Sequence, residues 1–194
     1  MSEPFIASVD EAHDSLTIEW TRTALALPIS VRKELSSRLN RVHRYFPEMK
    51  PRVKVGITRS YDGLAFQSNE GSAKLMIRVR RTRAAAWRYP TYWTLGHELM
   101  HLAQFNARTI PGTERATDIY ALARLPPRFI DESPSYLVSS KEPRRKWTVG
   151  HARIGHKLAL EALKQRSNGL RRYAKWWEDE FQRVIKQKPG SGSA

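Results

Sequence analysis

Thr94-Leu95-Gly96-His97-Glu98-Leu99-Met100-His101-Leu102-Ala103 is the stretch from which the fold can be read, uncharged but for its two histidines and one glutamate. Residues four apart on a helix share a face, so His97 and His101 can grip one metal ion together. Glu98, one residue on, falls within reach of a water on that ion and can take its proton. The flanks carry no charge, as expected of a helix buried beneath a metal. A helix with two unconnected histidines would also show the spacing, but it would not need those flanks.

Upstream, two short runs alternate. Val53, Val55 and Ile57 face away from Lys54 and Gly56, while Leu75, Ile77 and Val79 alternate with Lys74, Met76, Arg78 and Arg80. Period-two alternation in β-branched residues predicts half-buried antiparallel strands. Tyr61-Asp62-Gly63 is a turn signal, and Leu64 to Gln67 adds a third strand. A strand leading into the metal-site helix would rim a cleft, where an extended peptide can pair with its edge through main-chain hydrogen bonds. Lys74 to Arg88 holds Lys74, Arg78, Arg80, Arg81, Arg83 and Arg88 and no acid. At a rim these would favour acidic or nucleic-acid-associated substrates; on a plain exposed edge they would block aggregation.

From Ser15 to Phe46 the pattern reads as helical. Leu16, Trp20 and Leu27 are apolar, and Val31, Leu35, Leu39 and Val42 recur at steps of three and four. Pro28 breaks the stretch, Ser30 caps a second helix, and these helices are expected to pack behind the core. After the metal-site helix, Asn106 to Gly112 reads as a loop. Thr113 caps a helix to about Arg124, and Leu125-Pro126-Pro127 ends it. Asp131 to Ser140 is irregular. Two more helices follow, Val149–Arg166 and Leu170–Lys186, split by Ser167-Asn168-Gly169. The segments are therefore an N-terminal helical part (1–46), a core (47–140), a basic helical part (141–188) and a flexible tail (189–194).

The chain has no cysteine, which excludes a disulfide scaffold, a zinc ribbon and a thiol nucleophile and fits a reducing compartment. Met1-Ser2-Glu3-Pro4 opens no basic-then-apolar leader, and no apolar run reaches the roughly 18 residues of a membrane span. The expected location is the cytoplasm. Lys and Arg number 34 against 19 acids, a net +15, so nucleic acid and other polyanions are the favoured partner class and an anionic membrane surface is a further one. Residues 141–188 carry fourteen basic and five acidic residues. Tyr173, Trp176, Trp177 and Phe181 there are spaced like one apolar helix face, although aromatics among cations can also stack on bases.

Two histidines do not complete a catalytic zinc site, which takes three protein ligands and a water. Glu114 stands at the start of the next helix, thirteen residues after His101. A short loop would let that helix fold back on the first. Asp118 lies one turn further on the same face, where it could accept from the ring nitrogen of a ligand histidine that does not bind metal. His151 and His156 are the other candidates for third ligand.

Thr94 to Ala103 followed by Glu114-Arg115-Ala116-Thr117-Asp118 resembles the gluzincin metallopeptidases, the thermolysin-like group and its minimal relatives. The resemblance spans roughly residues 53–125, with a shorter gap between motifs than in the thermolysin-like enzymes. It implies an α+β fold with a zincin-like core: a small, mostly antiparallel sheet and an active-site helix, flanked by N-terminal helices and a C-terminal helical hairpin. It implies Zn²⁺ on His97, His101 and Glu114, with Asp118 orienting a ligand ring and Glu98 as general base. It also implies a tyrosine or histidine on the developing oxyanion, for which Tyr136, His151 and His156 stand as candidates and Tyr136 is preferred. SprT-like proteases, in which a third histidine ligates and the substrates are proteins on nucleic acid, are the second resemblance. The expected activity is hydrolysis of a peptide bond in a peptide or protein substrate by a Glu-activated, zinc-bound water. A non-catalytic zinc-binding interaction protein would use the same scaffold.

Overall fold

The computed structural model describes residues 15–67, 72–107, 109–138 and 141–187. The expected tail at 189–194 and the first part of the expected N-terminal helical segment, residues 1–14, lie outside them. The structure is α+β, and its contacts fall into two compact units that divide between Gly112 and Thr113.

In the first unit the elements run β1 (Thr17–Trp20), α1 (Arg22–Leu25), α2 (Ile29–His43), β2 (Arg52–Ile57), β3 (Gly63–Gln67) and β4 (Ala73–Ile77). A two-stranded antiparallel ladder, β5 (Arg80–Arg81) with β6 (Trp87–Arg88), then leads into α3 (Tyr92–Asn106). The four-stranded sheet is ordered β1-β2-β4-β3. Val53 and Val55 of β2 and Leu75 and Ile77 of β4 are buried, as their alternation requires. Leu35, Leu39 and Val42 of α2 are fully buried too. Each such side chain contributes about 1.5–3 kcal/mol by leaving water.

Four expectations need correction here. Residues 17–20 form a strand, not a helix. Leu16 and Trp20 are four apart, a spacing that suits a helix turn and also two steps of a strand. Ile18, half-buried between them while Thr17 and Glu19 are exposed, fits only the strand. The Leu16 amide is held by Asn40 Oδ1 of α2 at 2.8 Å, which fixes where β1 begins. Ser30, expected as a cap, lies inside the first turn of α2, which opens at Ile29 directly after Pro28.

The sheet is mixed rather than mostly antiparallel. β1 pairs β2 in parallel, β2 pairs β4 in parallel, and only β3 runs against β4. After β2 the chain passes to the far edge, forms β3, and returns as β4 into the gap, so β2 and β4 point the same way. Alternation reports which face of a strand is buried; it says nothing about the partner's direction.

The strand expected over Leu75 to Val79 is not the sheet's rim. β4 ends at Ile77, short of Val79, and sits between β2 and β3, so the edge beside it is β3. Of the basic run, Arg78 pairs with Asp62 at 3.2 Å, and Arg80, Arg81, Arg83 and Arg88 are exposed on the small ladder and its turn.

The second unit holds α4 (Glu114–Arg124), a short 3-10 turn (Pro127–Phe129), α5 (Lys141–Arg145), α6 (Val149–Ser167) and α7 (Tyr173–Gln187). α5 was not foreseen. Its core is built on small residues of α6: Ala152, Gly155, Ala159 and Ala162 are buried and let neighbouring helices approach closely. Trp177 and Phe181 of α7 stack with ring centroids 4.8 Å apart, and Trp177 Nε1 donates to the Gly155 carbonyl at 3.0 Å. Trp147 stacks on Phe181 and donates to Ile130 O at 2.9 Å. The buried aromatics of α7 are therefore core. Among the described residues no helix is long and apolar enough to cross a membrane.

Trp177 is fully buried, so Trp177→Ala is expected to cost about 3–5 kcal/mol. Urea unfolding followed by circular dichroism measures this, and a loss below about 1 kcal/mol would contradict the packing described.

Candidate metal centre

α3 is positioned at its start. Thr91 Oγ1 accepts from the Thr94 amide at 3.0 Å, capping the first turn. Arg38 of α2 lies over the rings of Tyr89 and Tyr92, 5.0 and 5.1 Å from their centroids, and reaches the Pro90 carbonyl. From there the helix is buried on nearly every side: Leu95 through Met100 are all buried, His97 and Glu98 among them. A helix apolar all round belongs inside a protein, and the motif rides within it.

The Nε2 atoms of His97 and His101 face one another at 3.2 Å. Two nitrogens ligating one tetrahedral zinc at about 2.05 Å would stand about 3.4 Å apart. One ligand atom each from His97, His101 and Glu114 lies within 4.8 Å of the others, so the three could hold a metal ion. Two imidazoles and one carboxylate form a donor set that fits a divalent transition-metal ion. Glu114 is the first residue of α4, where Thr113 Oγ1 accepts from the Ala116 amide at 3.3 Å.

Glu98 is bounded by the edge strand. A methyl group at Gly63, the first residue of β3, would lie 2.5 Å from Glu98 Cγ and 2.6 Å from Oε1. Gly63 is thus needed for space as well as for its turn. β3 passes directly against the glutamate, and nothing larger than hydrogen fits between them.

The other candidates make hydrogen bonds of their own. Asp118 is fully buried on α4, and its Oδ2 accepts from the Tyr136 amide at 3.0 Å. The two residues expected as ring orienter and oxyanion donor are thus joined to each other through the Tyr136 backbone, while the Tyr136 side chain is half exposed. His151 Nδ1 accepts from the Thr148 amide at 3.2 Å in a capping box, its ring tilted against Trp147 and Phe181. His156 Nδ1 donates to the Leu122 carbonyl at 2.7 Å, tying α6 to α4. Both histidines brace helices.

One residue escaped the sequence reading. Gln104 is buried on α3, three residues past His101; its Oε1 lies 3.1 Å from His101 Nδ1, and its Nε2 donates to the Pro111 carbonyl at 2.8 Å. The signal was there in an amide at the spacing that shares a face with His101, on a largely apolar helix.

The Gly63 contact makes a measurable expectation. Gly63→Ala should cost about 1–3 kcal/mol, as overpacking does. In a Glu98→Ala background the same change should cost much less, because the three nearest atoms all belong to Glu98. Equal costs in both backgrounds, read by chemical denaturation, would show that the contact is not what restricts Gly63.

No family model, curated protein or solved structure matches this chain, so what the site does has to be argued from its own residues.

Proposed function

We propose that this chain is a zinc-dependent peptide hydrolase acting through His97, Glu98, His101 and Glu114. The observation that carries the reading is the convergence of His97, His101 and Glu114 around one point, with Glu98 buried on the same helix. A zinc ion held there would supply Lewis acidity, polarising a carbonyl and easing deprotonation of a water. Glu98 would take a proton from the attacking water and pass it to the departing amine, which needs a carboxylate held in one place. α3 holds its backbone and β3 bounds its side chain. Burial excludes bulk water from the carboxylate and strengthens every charge interaction around it.

β3 supports a peptide as substrate. It is hydrogen-bonded to β4 on one side and ends the sheet, and among the described residues no strand pairs with its other side. An extended chain laid along that edge would gain main-chain hydrogen bonds and arrive beside Glu98. Half-exposed Leu64 on the same strand offers apolar contact.

A second reading adds a polyanion partner. With Trp177 and Phe181 in the core, base stacking by them is not available, and what is left is charge. Arg153, Lys157 and Lys164 are exposed along one side of α6 at steps of four and seven. On α7, by contrast, Lys175 pairs with Asp179 and Arg183 with Glu180. A row of cations at this spacing suits a nucleic-acid backbone.

Purified protein is expected to hold about one zinc per chain, and less in Glu114→Ala, by plasma mass spectrometry. Glu98→Gln should keep the zinc and lose about a hundred- to ten-thousand-fold in peptide turnover. Full activity in that variant would sink the mechanism. For the second reading, a duplex-DNA gel shift at low salt should weaken in the triple alanine variant of Arg153, Lys157 and Lys164. Absence of binding by wild type at low salt removes the nucleic-acid partner.

A further inference from the structure

The hydrogen bonds around Gln104 fix where the proton on His101 sits. The Pro111 carbonyl can only accept, so the group facing it at 2.8 Å is the amide nitrogen of Gln104. That turns the amide oxygen toward His101 Nδ1, 3.1 Å away. An amide oxygen can only accept, so Nδ1 carries the hydrogen. A neutral imidazole has one N–H, and the lone pair is therefore on Nε2, the nitrogen that faces His97 Nε2 at 3.2 Å. Gln104 is buried, which limits competition from water for its amide.

We infer that Gln104 is a positioning residue: anchored on the Pro111 carbonyl, it locks His101 in the tautomer whose Nε2 can ligate a metal. The inference rests on the metal-site reading for its purpose, although the tautomer follows from the hydrogen bonds alone. The bonds to His101 and to Pro111 are separable. The first needs an acceptor on residue 104 and the second needs a donor. A glutamate there keeps the acceptor and removes the donor; a leucine of similar size removes both. Pro111 lies three residues before Glu114 in the chain, so the same amide ties down the segment that leads to the third ligand.

The test is nitrogen-15 NMR of the histidine rings in zinc-free protein, at a pH where they are neutral. The His101 resonance is identified by its loss in His101→Asn, and zinc affinity is measured in parallel by competition with a chelating dye. Wild-type His101 should show the Nδ1–H tautomer. Gln104→Leu should give a mixture of tautomers and bind zinc about 10- to 100-fold more weakly, the range typical of lost partners to a ligand histidine. Gln104→Glu should keep the tautomer and most of the affinity, while its thermal midpoint falls through loss of the Pro111 bond.

An Nε2–H tautomer in wild type overturns the inference even if zinc binds. So does a Gln104→Leu protein whose tautomer and affinity match wild type within twofold. A purely structural role would lower the midpoint of both variants and leave the ring unchanged. Wild type that shows the Nδ1–H tautomer and takes up no zinc overturns the metal-site reading instead, and with it the purpose assigned to Gln104.

Discussion

α3 buries His97, Glu98 and Gln104 together with Leu95, Leu99 and Met100, and the rest of the first unit is arranged to make that tolerable. A polar side chain removed from water without a partner costs about 1–3 kcal/mol, and an uncompensated charge costs more. Gln104 is met by a backbone carbonyl on one side and by an imidazole on the other. The helix must also be held rigidly, because a ligand pair is useful only if its spacing persists. That rigidity comes from α2, where Arg38 clamps the two tyrosines at the start of α3, and from the apolar packing of Leu35, Leu39 and Val42.

The same constraint explains the odd strand. In a sheet whose other pairings are parallel, β3 runs antiparallel and sits at the edge, and it begins with a glycine. Reversing direction lets β3 pair with β4, which leaves β4 to fill the sheet's interior with Leu75 and Ile77. It also brings Gly63 against Glu98, where only hydrogen fits. Edge position and close approach to the helix are thus two results of one topological choice.

What could be read from the sequence divides along physical lines. Local signals were legible: Thr113 as a cap, the prolines after Leu125, the alternation of β2 and β4, the apolar face of α7. Each depends on residues within a turn or two of one another. Glu114 could be singled out because capping fixes where α4 starts, and hence which residue comes first. β1 was misread because Leu16 and Trp20 satisfy two periods at once; only Ile18 between them discriminates. Parallel pairing was not legible, since direction is set by connections and not by alternation. Gly63 looked like a turn residue because its steric partner, Glu98, is distant along the chain. Asp118 was placed correctly on the Glu114 face of α4, but its bond to the Tyr136 amide depends on a loop whose path no local pattern encodes.

Gln104 was missed for another reason. Attention to charged groups passes over an amide, yet an amide is the one side chain whose two ends demand opposite partners. This gives the relay from His101 through Gln104 to Pro111 a direction that a hydroxyl or a second imidazole would lack, because both of those can donate or accept. One atom decides the sense of the whole chain: a carbonyl oxygen, which cannot donate. A carboxylate at position 104 would satisfy the ring but not that carbonyl, and it would bring a negative charge to a buried helix that already carries Glu98. A neutral amide orients the ring without that charge. The site's polar groups are thus kept in order by a backbone acceptor, which no side-chain substitution at Pro111 would remove.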